Sequence, residues 1–132
     1  MLSSLPLFLI IFIVYNAIVF LSPGLLNSTL LSIPLFSKVT WSFTTPDLLL
    51  AISLIALYIE IFKATRPSRL SVLDHVFSLL VFIAFLTEFI AFPQAGNSTF
   101  FLITLMTFID VVAGFTVTIS TARRDIGLDR QL

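Results

Sequence analysis

The stretch NSTFFLITLMTFIDVVAGFTVTISTARRD, residues 97–125, decides the fold. From about Thr99 to Ala122 it carries a single ionisable side chain, Asp110, and then stops abruptly at Arg123-Arg124. An α-helix rises about 1.5 Å per residue and needs about 20 mostly apolar residues to cross a hydrocarbon core of roughly 30 Å. This run meets that length, with Ser98 or Thr99 as its cap. It predicts a transmembrane helix with an acid near its middle, since Asp110 lies about 20 Å from both Asn97 and Arg123.

Three further segments fit the same description, working outward. Residues 72–92 form an apolar run ended by Pro93 and Gly96. Residues 46–62 begin at TTPD, where Thr45 suits an N-cap, Pro46 the first helical position and Asp47 the positive end of the helix dipole. Residues 5–21, or on to Leu26, tolerate Pro6 in a first turn. The N-terminus has no basic segment ahead of its apolar run and no small-x-small cleavage pattern, so it reads as a retained span. Between the first two spans, residues 27–43 are apolar but broken by Pro34 and dotted with Ser and Thr. That pattern predicts an amphipathic segment lying on the membrane surface, with Trp41 and Phe43 as interfacial anchors.

Composition agrees. The chain is 58% hydrophobic and 11% charged, with a mean hydropathy of +1.13; soluble domains run at about 45–50% apolar and about 25% charged. The expected fold class is all-α: a single integral-membrane domain over residues 1–132, a four-helix transmembrane bundle. Six of the seven basic residues fall in the 63–69 loop or the tail (Lys63, Arg66, Arg69, Arg123, Arg124, Arg130), and only Lys38 lies elsewhere. The positive-inside rule then places both termini in the cytoplasm. Zero net charge gives no argument for nucleic acid, and none is expected as a partner. The absence of cysteine removes disulfides, thiolate metal sites and cysteine nucleophiles. One histidine leaves no cluster for a metal, and no cofactor is expected.

The two outward turns share a pattern, PGLLNSTLL from Pro23 and PQAGNSTFF from Pro93. The match does not extend beyond the turns, so it reads as turn chemistry rather than a repeat. Both contain Asn-x-Thr sequons too close to the bilayer to expect glycosylation.

Ionisable groups inside spans are functional hypotheses by default. Asp110 shares a stripe with Thr107, Gly114, Val117 and Thr121, and Gly114-x-x-x-Thr118 is a small-xxx-small pair suited to close helix approach. Asn16, the one strongly polar side chain of the first span, is the expected partner in an Asn16–Asp110 clasp. A proton or ion site at Asp110, or contact with a partner protein's helix, are the alternatives. Asp74, Ser78, Val81, Phe85 and Glu88 form a second stripe. Ser71-x-x-Asp74 resembles a capping box, and Glu88 is an acid near the outer boundary, within reach of water. Ser53, Ala56 and Glu60 share a face of the second span. Glu60, Asp74, His75 and Arg123 are expected to form a polar cluster at the cytoplasmic side, with His75 hydrogen-bonded to Glu60 or acting as a titrating sensor.

No nucleophile–base–acid set, metal-ligand spacing, phosphate loop or dinucleotide fingerprint is present, and an enzyme is not expected. IEIFKATRPSRLSVLDHVFSLLVF, NSTFFLITLMTFIDVVAGFTVTI and TARRD, within residues 59–125, resemble small four-span proteobacterial inner-membrane proteins. The first span and the segment after it are not covered. The resemblance implies an inner-membrane location and no particular activity. Small multidrug transporters place an essential glutamate in their first span, where this chain has only Asn16. The expectation is a non-enzymatic accessory, assembly or scaffold subunit, partnered by the lipid bilayer and by other membrane proteins or copies of itself. The alternative is a small oligomeric proton- or cation-coupled transporter or channel using Asp110.

Overall fold

The computed structural model describes residues 5–66 and 71–131. Arg69 lies outside the described residues, as do the side chains of Ser71, Thr121 and Arg130. Four helices, α1 (Leu7–Leu21), α2 (Thr45–Ala64), α3 (Ser71–Ala91) and α4 (Ser98–Gln131), carry the fold. Two strands, β1 (Thr29–Pro34) and β2 (Thr40–Thr44), and short 3-10 turns at Pro23–Asn27 and Pro93–Ala95 complete the order.

The helices alternate in direction. The start of α1 meets the end of α2, where the Leu7 amide donates to Glu60 Oε1 at 2.9 Å. The end of α1 meets the end of α3 through Asn16 and Glu88, and the start of α3 meets the far part of α4 through His75 and Thr118. Lys63, Arg66, Arg123 and Arg124 therefore gather at one end, the basic end, and the β-strands lie at the other. α4 packs along both α2 and α3, whereas α1 rests more thinly on α2 and α3. Aromatic side chains fill the core between them: Phe85 meets Phe12 at 5.0 Å and Phe100 at 5.2 Å, and Tyr15 meets Phe100 edge-on at 4.9 Å.

Two helical segments, Val72–Ala91 and Ser98–Arg124, are long and apolar enough to cross a membrane. α1 has 15 residues, about 22 Å of helix. α2 has 20 residues, with Asp47 in its first turn and Lys63 in its last.

Three local details go beyond or differ from the expectations. The segment after α1 is an antiparallel β-hairpin over Thr29–Thr44, with Ile33 opposite Trp41, Ser32 opposite Ser42 and an irregularity between Thr29 and Leu31. Pro34 and β-branched residues disfavour a helix here, while Phe36-Ser37-Lys38 closes a tight loop with Lys38 at φ 69°. The Leu35 carbonyl accepts from Lys38 N at 3.0 Å, and Leu35 N donates to Val39 O at 2.9 Å. The N-cap of α2 is Thr44, one residue before Thr45, in a reciprocal capping box with Asp47. α4 is capped by Asn97, whose Oδ1 accepts from Phe100 N at 2.9 Å, rather than by Ser98 or Thr99.

Candidate functional site

Polar side chains enter the bundle in two layers. At the basic end, Glu60, Lys63, Arg66, Asp74, His75, Ser78, Asp110 and Gly114 surround a cavity of ≈ 30 Å³, room for one or two waters. The spacing of each helix puts them there. Leu49, Ser53, Ala56 and Glu60 are buried along one face of α2. In α3, His75, Val81, Phe85 and Glu88 are buried, and Asp74 and Ser78 flank the same stripe. In α4, Thr107, Asp110 and Gly114 follow the three- and four-residue period that brings side chains onto one face.

Within this layer Glu60 is the organiser. It is 7% exposed, and its Oε1 accepts from the Leu7 amide at 2.9 Å and from Lys63 Nζ at 3.2 Å. Lys63 Nζ also donates to the Leu5 carbonyl at 3.3 Å. One carboxylate thus ties an orphan N-terminal donor of α1 to the last turn of α2. The Ser78 hydroxyl hydrogen-bonds the Asp110 carboxyl, and Glu60 and Lys63 act on that carboxyl electrostatically. His75 bonds Thr118 through Nε2 and stacks on Phe115 at 5.3 Å. Gly114 is what admits the imidazole: a Cβ there would stand 2.8 Å from His75 Cε1 and Nδ1. Asp74 Oδ1 is buried and has no hydrogen-bond partner among the described residues.

The second layer lies at the hairpin end. Asn16 Nδ2 donates to Glu88 Oε2 at 3.0 Å and to its own helix at Phe12 O, 2.9 Å. One turn further out, Asn97 Nδ2 donates to the hydroxyl of fully buried Tyr15 at 2.8 Å. Between the layers, the buried hydroxyls bond their own helices: Ser53 to Leu49 O, Thr104 to Phe100 O and Thr107 to Thr104 O. Apolar packing around Phe85, Phe100 and Ile103 separates the two.

The expected residues are thus redistributed. Asn16 and Asp110 do not clasp each other. Asn16 stands five residues from the end of α1, about 7.5 Å, whereas Asp110 is twelve residues into α4, about 18 Å, so Asn16 meets Glu88 and Asp110 meets Ser78. Asp110 belongs to the layer with Lys63 and Arg66 rather than to an isolated mid-bundle position. Glu88 is 8% exposed and hydrogen-bonded, not turned out to water. Glu60, Asp74 and His75 do share one cavity, but His75 takes Thr118 rather than Glu60. Arg123 is exposed and outside the group, because it lies five residues beyond Thr118, past the start of α3. The capping role proposed for Ser71 lies outside the described residues.

Sequence reasoning missed Lys63, Arg66 and Ser78 as cavity residues and Tyr15 as a buried hydrogen-bonding group. Tyr15 had a visible signal, an amphipathic ring inside an apolar run. Lys63 and Arg66 read only as topology markers, because their reach back toward α1 and α3 depends on tertiary packing. Among the described residues, no group of three His, Asp or Glu side chains is placed to hold a metal ion. The arrangement can hold a water and shuffle protons among carboxyls and an imidazole, and it can lock helix ends together. No family model matches the chain, and no curated protein or solved structure matches it.

Proposed function

We propose that this chain is a four-helix bundle of the bacterial inner membrane with both termini in the cytoplasm. Its role in this reading is non-enzymatic: an accessory, assembly or scaffold subunit of a larger membrane complex, or a self-associating bundle. The observation that carries the reading is an inversion of polarity. Glu60, His75, Glu88, Thr107 and Asp110 are buried, while Leu54, Ile55, Tyr58, Leu80, Ile90 and Phe101 face outward. In water that surface would cost about 25 cal/mol per Å² of apolar area; in lipid it costs nothing. Glu60, His75, Glu88 and Asp110 each tie one helix to another, while Thr107 bonds its own helix.

The basic end supports the orientation, since Lys63, Arg66, Arg123 and Arg124 lie at that end and, among the described basic residues, Lys38 alone sits at the opposite end. α1 and α2 count as crossings in this reading because both run between the level of Glu60 and the hairpin end, beside α3 and α4. The test is purification from membranes in mild detergent, followed by mass measurement and identification of companions. A stoichiometric partner or a defined oligomer is the expected result; a lone monomer under all mild conditions would overturn it.

One observation favours a second reading. Asp110, Glu60, Asp74 and His75 meet around a water-sized cavity, as a proton-handling site in a small transporter requires. Asp110→Asn separates the two. As a helix tie it leaves assembly intact, since the amide still pairs with Ser78; as a transport group it abolishes proton-coupled flux in proteoliposomes.

A further inference from the structure

Both roots of the hairpin are pinned to the first turn of α2. Thr45 N donates to the Ser28 carbonyl at 3.2 Å, and the Ser28 and Thr45 hydroxyls lie 2.9 Å apart. Thr44, the last residue of β2, is itself the N-cap of α2. α2 has 20 residues, about 30 Å, the thickness of a hydrocarbon core. With Lys63 at its inner end, its first turn lies where acyl chains give way to outer headgroups, and the hairpin starts at that boundary. Phe43 and Trp41 can stand no further than about 7 and 14 Å from Thr45.

The register gives the hairpin two unlike faces. Cross-strand partners share a face: Leu31 with Phe43 and Ile33 with Trp41 on one, Ser32 with Ser42 and Pro34 with Thr40 on the other. The Trp41 and Phe43 rings meet on their side at 5.6 Å. Leu31, Ile33 and Trp41 are 50%, 38% and 46% exposed, so the described chain leaves that face uncovered. We propose that the apolar face rests in the outer leaflet of the bilayer, with the Trp41 indole among the glycerol and upper acyl groups and Lys38 at the lipid phosphates. The inference rests on the membrane-embedded reading and gives the hairpin a task in it. It anchors the outer end of α1, whose 15 residues, about 22 Å, fall short of the hydrocarbon core.

Level, composition, charge and edge geometry together select lipid as the cover. The hairpin is rooted at the boundary where Trp side chains are most favoured, since an indole is apolar in body and polar at its N–H. Phe36, at the tip, is fully exposed. No acidic residue precedes Asp47 in the chain, and Asp47 is held in the capping box of α2, so Lys38 is left for a phosphate. Pairing of strand edges with a second copy is disfavoured. β1 has six residues and includes Pro34, β2 has five, and edges so short and interrupted are poor templates for another strand.

Trp41 is the sole tryptophan, so its fluorescence reads this hairpin alone. The experiment reconstitutes the full chain in palmitoyl-oleoyl phosphatidylcholine vesicles containing lipid brominated either high on the acyl chains or near their ends. The expected emission is blue-shifted from that of free tryptophan, quenched more by the high bromines than by the deep ones, and little by aqueous acrylamide. Ile33→Asp, on the apolar face, should return emission and acrylamide quenching to those of a water-exposed indole. Ser32→Asp, on the other face, should leave both unchanged. Leu31→Asp takes the place of Ile33→Asp if amide exchange shows the strand pairing lost. Water-like emission from the unmodified chain, or an equal response to the two face variants, would overturn the anchor. Emission that changes with the number of chains per vesicle assigns the face to a second copy, and shielding found only in native membranes assigns it to a partner protein; either overturns the anchor too. Release of the chain from membranes by alkaline carbonate would overturn the membrane reading itself; retention there with a water-exposed Trp41 removes the anchor alone.

Discussion

Gly114 and His75 occupy the tightest place in the basic-end layer. A methyl group at Gly114 would meet the imidazole at 2.8 Å, so His75 must shift toward the adjoining cavity and loosen its stack on Phe115 and its bond to Thr118. Overpacking of this kind costs about 1–3 kcal/mol. Gly114→Ala should therefore lower the thermal midpoint in detergent, and His75→Ala in the same chain should recover most of the loss. A purely additive pair would show that the two do not touch. The Asn16–Glu88 bond gives a second residue-scale prediction. Asn16→Leu leaves a buried carboxyl without its donor, at about 1–3 kcal/mol. Asn16→Leu together with Glu88→Leu should be nearer neutral, because both polar groups leave together. Unfolding of the two variants side by side checks this. That Asn16, Glu88 and Asp110 mattered was legible from their isolation in apolar runs. Which pairs with which was not, because pairing depends on the axial offset between helices, and the shortness of α1 moves Asn16 toward the hairpin end.

At the scale of elements, the helical stripes were the most readable part of the chain. Ser53, Ala56 and Glu60 on α2, and Val81, Phe85 and Glu88 on α3, repeat at three and four residues and are all buried. The hairpin was not readable for a related reason. Every residue of β1 is exposed, so no buried face imposes the alternation by which a strand is recognised. Its loop instead depends on Lys38 at φ 69°, a conformation that disfavours a Cβ by about 1–2 kcal/mol. Lys38→Gly should tighten the hairpin, seen as slower amide exchange across residues 31–43; unchanged or faster exchange would show that the turn is not what limits it. Thr44→Ala should act in the other direction. It removes the hydroxyl that accepts from Asp47 N at 3.4 Å and donates to Asp47 Oδ2 at 2.9 Å, costing about 1 kcal/mol and fraying the first turn of α2.

For the whole molecule, the decisive question is whether α1 and α2 cross the bilayer beside α3 and α4. In the proposed topology they do: α1 spans from the level of Glu60 to that of Glu88, and α2 runs parallel beside α4. The outward faces of α1 and α2 carry Ile10, Ile13, Phe20, Leu54, Ile55 and Tyr58, which suits that environment. Because the chain has no cysteine, single substitutions report sidedness without background. Lys38→Cys, at the hairpin tip, should react with a membrane-impermeant maleimide added to intact cells once the outer membrane is made permeable. Arg124→Cys should react only after the inner membrane is opened. If Lys38→Cys is protected until lysis, the hairpin lies on the same side as the tail, and α1 and α2 do not both cross. The four-span topology would then give way to a pair of spans, α3 and α4, with the remaining helices packed at one surface.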